Sequence, residues 1–262
     1  MTDSGSDATF EMGRVISRAF SVYGRNFFTF TLLSVLAALP IFAMYFYMGK
    51  LFTPSVAHTA PLQFAALLSK LGTFTITMLV GVIFAFILQA AVVYGAVSDL
   101  NGKRARFGEC LTIGLRMFPP LIAVAILAIL GFYLGLILLV IPGIMLIVSW
   151  AVIVPACVVE KTGVFGAFGR SRTLTAGHRW KIFGLFVIFY ISASLIGFAL
   201  LPILGLNFQA SGMLASTPYL ILSSIVRVFT AIIGATGVAS VYYELRLVKE
   251  GIGPQGLAAA FD

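Results

Sequence analysis

Apolar residues in this chain come in long blocks, and most polar residues are confined to the gaps between them. Six blocks stand out: Phe27–Met48, Gly72–Val97, Pro119–Val140, Ile144–Val159, Ile182–Leu201 and Tyr219–Tyr243. A helix rises about 1.5 Å per residue, so roughly 20 residues cross a hydrocarbon core about 30 Å thick. Five of the six blocks reach that length. The fourth would extend only about 24 Å as a helix, and it contains Pro155. It predicts either a short kinked span or a re-entrant arm packed among its neighbours.

Three blocks are preceded by a different pattern. From Phe10 to Phe27, apolar residues fall at Met12, Val15, Ile16, Ala19, Phe20, Tyr23 and Phe27, while Arg14, Ser17, Arg18, Ser21 and Arg25 take the other side. That three-and-four spacing sets an apolar stripe against a basic one, as in a helix lying in a membrane interface. Phe107–Phe118 repeats the pattern ahead of the third block. Val164–Thr175 does so ahead of the fifth, stops at Gly177 as a C-cap, and leads into His178-Arg-Trp-Lys181, where Trp180 suits an interfacial anchor.

Composition turns this pattern into a class. Of 262 residues, 60% are hydrophobic and 10% charged, with 24 Phe and a mean hydropathy of +1.07. A soluble domain carries about 45–50% apolar and about 25% charged residues. A soluble enzyme, a disordered tail and a repeat solenoid are excluded. The expected fold is all-α: a polytopic membrane protein of about six transmembrane helices, with amphipathic helices on its cytoplasmic face. One membrane domain over 10–251 is expected, between a disordered 1–9 and a flexible 252–262. The acidic, polar start lacks a basic leader and a cleavage site, so no segment is expected to be removed.

Charge gives the orientation. The net charge is +8, and the cations gather in alternate connections. Fourteen lie in the N-terminal segment, in 98–118, in 160–181 and in the tail; only Lys50 and Lys70 lie in the other set, 49–71, Pro142-Gly143 and 202–218. The positive-inside rule then places both termini in the cytoplasm. Cys110 and Cys157 fall on that side, so a disulfide is not expected. The basic loops point to anionic lipid headgroups rather than nucleic acid.

Internal similarity suggests a repeated unit. Arg18 and Arg25 are seven residues apart and lead into Asn26-Phe-Phe; Arg172 and Arg179 are seven apart and lead into Trp180-Lys-Ile-Phe. The closing spans end on Val93-Tyr94 then Asp99-Leu100, and on Val241-Tyr242 then Glu244-Leu245. Units of 10–100, 107–160 and 164–250 follow, the middle one shorter; chance likeness between apolar helices is the alternative.

Ile141-Pro-Gly143, Val158-Val-Glu160, Ala167–Phe183 and Val241–Gly251 carry a family resemblance. In these stretches the chain resembles the membrane domain sometimes fused to bacterial glycerophosphodiester phosphodiesterases and more often found alone in the inner membrane. The resemblance covers mainly 140–251. It implies a bacterial membrane module and transfers no activity, because the soluble catalytic barrel of those enzymes has no counterpart here.

Catalytic chemistry is sparse. His58 and His178 lie on opposite sides of the predicted membrane, and no metal-binding or nucleophile motif occurs. Gly251-Ile-Gly-Pro-Gln-Gly256 matches a dinucleotide fingerprint in spacing, but it follows a predicted transmembrane helix and Pro254 interrupts it. No cofactor and no metal are expected. None of the nine acids lies mid-span, which argues against a proton-coupled transporter. Asp99, Glu160 and Glu244 sit at cytoplasmic helix ends, level with Arg18, Arg172 and Arg179, and are expected to form structural ion pairs. The functional counterpart is a charged vestibule or headgroup site.

The candidate lipid contacts are Arg14, Arg18, Arg25, Arg170, Arg172, Arg179 and Lys181. Arg227 is the anomaly, eight residues into the sixth block, where an arginine costs at least about 2–3 kcal/mol unless it snorkels or finds polar partners. It either reaches outward or faces the bundle near Ser223, Ser224, Tyr190 or Ser192. Gln89 is a weaker intramembrane polar site, suited to an interhelical hydrogen bond. Small residues at Gly131/Gly135 and Ala231/Ala235/Ala239 mark packing seams, within the chain or between copies. The expected function is non-enzymatic: an integral membrane protein engaging anionic phospholipids, in membrane organisation or lipid handling, alone, as a homo-oligomer or with a membrane-protein partner. The alternative is a small-molecule or lipid transporter with a cavity near Arg227. A third reading is an enzyme acting on a lipid headgroup through the helix-end acids.

Overall fold

The computed structural model describes residues 9–51, 60–138, 140–203 and 217–251, and the described residues outside turns and short irregular connections are all helical. In chain order the helices are α1 (Met12–Arg25), α2 (Phe27–Leu51), α3 (Ala60–Leu100), α4 (Phe107–Arg116), α5 (Phe118–Leu138), α6 (Val140–Ser149), α7 (Ile153–Glu160), α8 (Gly163–Thr175), α9 (Arg179–Ile203) and α10 (Thr217–Glu250). Four stretches are long and apolar enough to cross a membrane: Leu79–Leu100, Gly143–Glu160, Arg179–Ala199 and Ser224–Glu250. The number rises to six if two bent pairs count as one span each: α1 with α2, at 87°, and α4 with α5, at 59°. His58 and the glycine-rich segment beyond Gly251 lie outside the described residues.

Each bend has a local cause. At the first, Asn26 ends α1: its backbone N–H donates to the carbonyls of Val22 and Tyr23, and its buried Nδ2 donates to the Val22 carbonyl at 3.1 Å. The carbonyls at a helix end lack intrahelical partners; here a side chain supplies one, and Phe30 restarts the ladder by donating to the Asn26 carbonyl. At the second, Pro119 and Pro120 open α5, where a missing N–H costs nothing, but neither can continue the hydrogen bonding of α4. Between α8 and α9, Gly177 takes φ +83°, the left-handed conformation that lets a helix stop, and His178 N–H closes on the Thr175 carbonyl.

The fourth apolar block is a broken helix. α6 stops at Ser149 and α7 starts at Ile153, two residues before Pro155, whose ring nitrogen cannot donate to the Ala151 carbonyl. The groups freed at the break are taken up by α8. Ser171 Oγ–H donates to the Ser149 carbonyl at 2.8 Å and accepts from Val152 N–H at 3.3 Å; Thr175 Oγ1–H adds a second bond to Ser149 at 3.3 Å. All of this is buried. A broken backbone away from water needs such partners.

Packing depends on small residues. A Cβ at Gly131 would meet the Trp150 ring at 2.2 Å, and one at Gly135 would meet the Gly143 Cα at 3.0 Å. The Gly131/Gly135 seam is therefore internal, between α5 and the α6 region. Ala235 and Ala239 are buried in the core. The core joins α1, α2, α3, α9 and α10 around Phe30, Val92, Ile182, Ile232 and Tyr242. In contrast, α9 leaves Ile188, Ile191, Leu195, Ile196 and Phe198 exposed. So large an apolar face suits lipid better than water.

Candidate functional site

The charged side chains gather along the end of α10, in one cluster shared with α1 and a second shared with α7 and α8. Glu244, four-fifths of the way along α10, is fully buried, and it holds two arginines from α1. Arg14 Nη2 approaches its Oε1 at 2.7 Å and Arg18 Nη1 donates to its Oε2 at 2.8 Å. Arg14 and Arg18 are four residues apart, hence one turn apart on one face. The Arg18 guanidinium also lies 4.6 Å from the Tyr243 ring centroid, a cation–π contact. Farther along α1, Arg25 binds Asp99 at the end of α3, Nη2 to Oδ2 at 2.5 Å.

A second cluster surrounds Glu160 at the end of α7. Arg170 Nε donates to Glu160 Oε2 at 2.6 Å and pairs with Glu250 through Nη2. Tyr242 O–H donates to Glu160 Oε1 at 2.8 Å, and Arg246 Nε donates to Glu250 Oε2 at 2.8 Å. Two arginines, two carboxylates and a phenol thus tie α7, α8 and α10 together. Burial works to lower the Arg170 guanidinium, but Glu160 and Glu250 overcome it and hold it above its ordinary value.

The predicted residues thus fall into three groups. Asp99, Glu160 and Glu244 each hold arginines, but at separate places; Arg18 is one of the partners, while Arg172 and Arg179 are not. Arg14, Arg18, Arg25 and Arg170 are engaged by carboxylates. Arg172 is exposed on α8, and Lys181 donates to the Phe10 carbonyl at 3.3 Å. The Nε of Arg179 is buried with no hydrogen-bond partner among the described residues. Beside it, Trp180 is 67% exposed. His178 stacks near Phe10, ring centroids 5.6 Å apart, and burial, with Lys249 and Lys181 nearby, lowers its imidazole below the ordinary value.

Sequence reasoning missed Tyr242, Arg246 and Glu250 as members of this layer. Their spacing was a usable signal: 242, 246 and 250 are successive one-turn steps on α10. Cys110 and Cys157 are free and buried. No group of three His, Cys, Asp or Glu able to hold a metal occurs among the described residues. At the other end of α10, Arg227 is exposed, while Gln89 is half-buried within α3.

A family profile matches residues 58–244, well over half of the chain. The chain belongs to the family described as Domain of unknown function (DUF7847). The matched span includes Asp99, Glu160, Arg170 and Glu244, while α1 with its arginines precedes it. No curated protein and no solved structure matches the chain.

Proposed function

We propose that this DUF7847 member is a non-enzymatic module of the bacterial inner membrane that binds anionic phospholipids on its cytoplasmic side, with both termini there. One observation carries the reading. Lys103, Arg104, Arg116, Lys161 and Arg172 are exposed and, among the described residues, have no carboxylate within ion-pairing distance, whereas Asp99, Glu160 and Glu244 are engaged by other arginines. Unneutralised cations in and near the connections between helices, together with the exposed Trp180 at the start of α9, suit the headgroup layer of an anionic leaflet. Each cation near such a surface contributes about 1 kcal/mol. The acids serve the fold. Glu244 is fully buried, and Asp99 and Glu160 are only partly exposed. Each is engaged by an arginine rather than set in an open site for acid–base chemistry on a headgroup.

The test is lipid retention by the full chain, purified in mild detergent and examined by native mass spectrometry with phosphatidylglycerol and phosphatidylethanolamine offered together. The wild type should retain phosphatidylglycerol preferentially. Alanine at Lys103, Arg104, Arg116, Lys161 and Arg172 together should abolish the preference. An unchanged preference sinks the reading.

A further inference from the structure

Glu109 differs from the acids of the charged layer. It is 53% exposed on α4, and Arg106, itself 80% exposed, approaches it only to 3.4 Å. A pair so open to water contributes little to the fold. Both residues line an open pocket of about 540 Å³ beside α3, together with Tyr94, Gly108, Thr112 and Ile113. That volume lies within the roughly 300–1,000 Å³ of small-ligand sites. Glu109 and Ile113 are four residues apart, as are Gly108 and Thr112, so two neighbouring rows of α4 face the pocket. Gly108 leaves its part open, since a Cβ there would meet nothing within 4 Å.

The polar groups of the pocket keep bonding capacity for a ligand. The contact between Arg106 and Glu109 joins Nη1 to Oε1. It leaves Arg106 Nε and Nη2 as donors and Glu109 Oε2 as an acceptor. Thr112 donates its hydroxyl hydrogen to the Gly108 carbonyl at 2.7 Å, so its oxygen remains only to accept. Guanidinium donors thus stand beside two acceptors, one of them charged. That set is complementary to a ligand carrying an anion and, a short linker away, an ammonium with N–H donors. The depth fits as well. Tyr94 lies five residues before Asp99 on α3, about 7.5 Å at helical rise, within the apolar stretch Leu79–Leu100. Arg106 and Glu109 lie beyond that stretch, at the start of α4.

We propose that this pocket binds the headgroup of one zwitterionic phospholipid, its phosphate diester on Arg106 and its primary ammonium on Glu109 and Thr112, as phosphatidylethanolamine provides. Tyr94 and Ile113 form the apolar wall that the glycerol end of the lipid follows toward the hydrocarbon. The site rests on the membrane reading above but not on the anionic preference. None of the five cations assigned to phosphatidylglycerol lines the pocket. When both lipids are offered together, the pocket accounts for one bound phosphatidylethanolamine beside the phosphatidylglycerol.

The experiment adds phosphatidylethanolamine or phosphatidylcholine, each alone, to delipidated full chain in mild detergent and follows the tightest bound lipid by native mass spectrometry. Both lipids are net neutral and share the phosphate, but only the primary ammonium can donate hydrogen bonds to Glu109 and Thr112. The wild type should hold phosphatidylethanolamine roughly fivefold more tightly, the scale of one exposed charged contact. Glu109→Gln should abolish that preference, and Arg106→Gln should weaken both lipids. Gly108→Leu, which fills the pocket from an open position, should weaken phosphatidylethanolamine as much as Glu109→Gln does. Arg106 and Glu109 are largely exposed, and a helix accepts Leu more readily than Gly, so all three variants should fold. Equal affinity of the wild type for the two lipids overturns the site, as does wild-type retention of phosphatidylethanolamine by Gly108→Leu. Glycerophosphoethanolamine, which has the headgroup and no acyl chains, should not displace the lipid at equal concentration; displacement overturns the assignment to a lipid. Because neither lipid is net anionic, a failure here leaves the phosphatidylglycerol preference of the basic loops standing, and the reverse also holds.

Discussion

Glu244 shows how a single residue can organise an end of a helical bundle. Its carboxylate is fully buried, while Arg14 and Arg18 keep 41% and 21% of their side-chain surface. The two sides of the pair therefore respond differently to mutation. Glu244→Gln removes the buried charge and leaves two arginines that water can reach, so it should cost about 1.5–3 kcal/mol, the value of charge-assisted hydrogen bonds. Arg14→Ala with Arg18→Ala strands a buried carboxylate, which typically costs about 3–5 kcal/mol. Thermal unfolding in micelles should rank the double arginine variant below Glu244→Gln. The reverse order would mean that α1 is held by its apolar face, Val15, Ala19 and Val22, and not by charge. The acids themselves were visible in the sequence, because Asp99, Glu160 and Glu244 end long apolar runs. Their partners were only partly visible. Arg170 and Arg172 are two residues apart, about 200° around a helix, so only one can face the bundle. Which one depends on the rotation of α8, fixed by the burial of Ala167, Ser171, Leu174 and Thr175, and no charge pattern encodes that.

At the scale of elements, the least predictable feature is the break between α6 and α7. Pro155 and the short length signalled an irregularity there. The repair came from elsewhere in the chain: Ser171 and Thr175, in a segment whose apolar and basic spacing suggested an interfacial helix. α8 does carry exposed Phe165 and Arg172 on one side, but its other side serves as a cap for the broken span. Two hydroxyls one turn apart cannot be told from ordinary helix-surface residues until their backbone partners are in place. The repair predicts a sharp difference between neighbouring hydroxyls. Ser171→Ala leaves the Val152 N–H and one bond to the Ser149 carbonyl unmet in a buried site and should cost about 1–3 kcal/mol. Thr173→Ala, whose exposed hydroxyl bonds only to Gly169 within its own helix, should cost under about 0.5 kcal/mol. Unfolding midpoints of the two variants in the same detergent check this. Equal midpoints would mean that the break is satisfied by something other than α8.

For the whole molecule, the apolar blocks predicted helices in the right places. They did not predict the full lengths: α3 and α10 run 41 and 34 residues, well beyond a single crossing. The excess is polar enough at its ends to have been assigned to loops, since hydropathy reports where lipid can be tolerated and not where a helix stops. Orientation rests on the distribution of cations, and the protein's own cysteines make it testable. Cys110 and Cys157 are buried, so their thiols are shielded and a newly introduced cysteine should dominate labelling. Ser69 is exposed on α3 and lies 30 residues before Asp99, a helical distance of about 45 Å that exceeds the hydrocarbon core. Lys103, just past Asp99, is exposed at the other end. In intact cells an impermeant maleimide should therefore modify Ser69→Cys and spare Lys103→Cys, which should react only after permeabilisation. Modification of Lys103→Cys from outside would invert the molecule, moving its unneutralised cations away from the cytoplasmic leaflet and removing the physical basis for anionic-lipid binding there. Labelling of neither position in intact cells, with Lys103→Cys alone reactive once they are opened, would instead fold the start of α3 back toward the bilayer, and the polar end of that helix would have to be buried in protein.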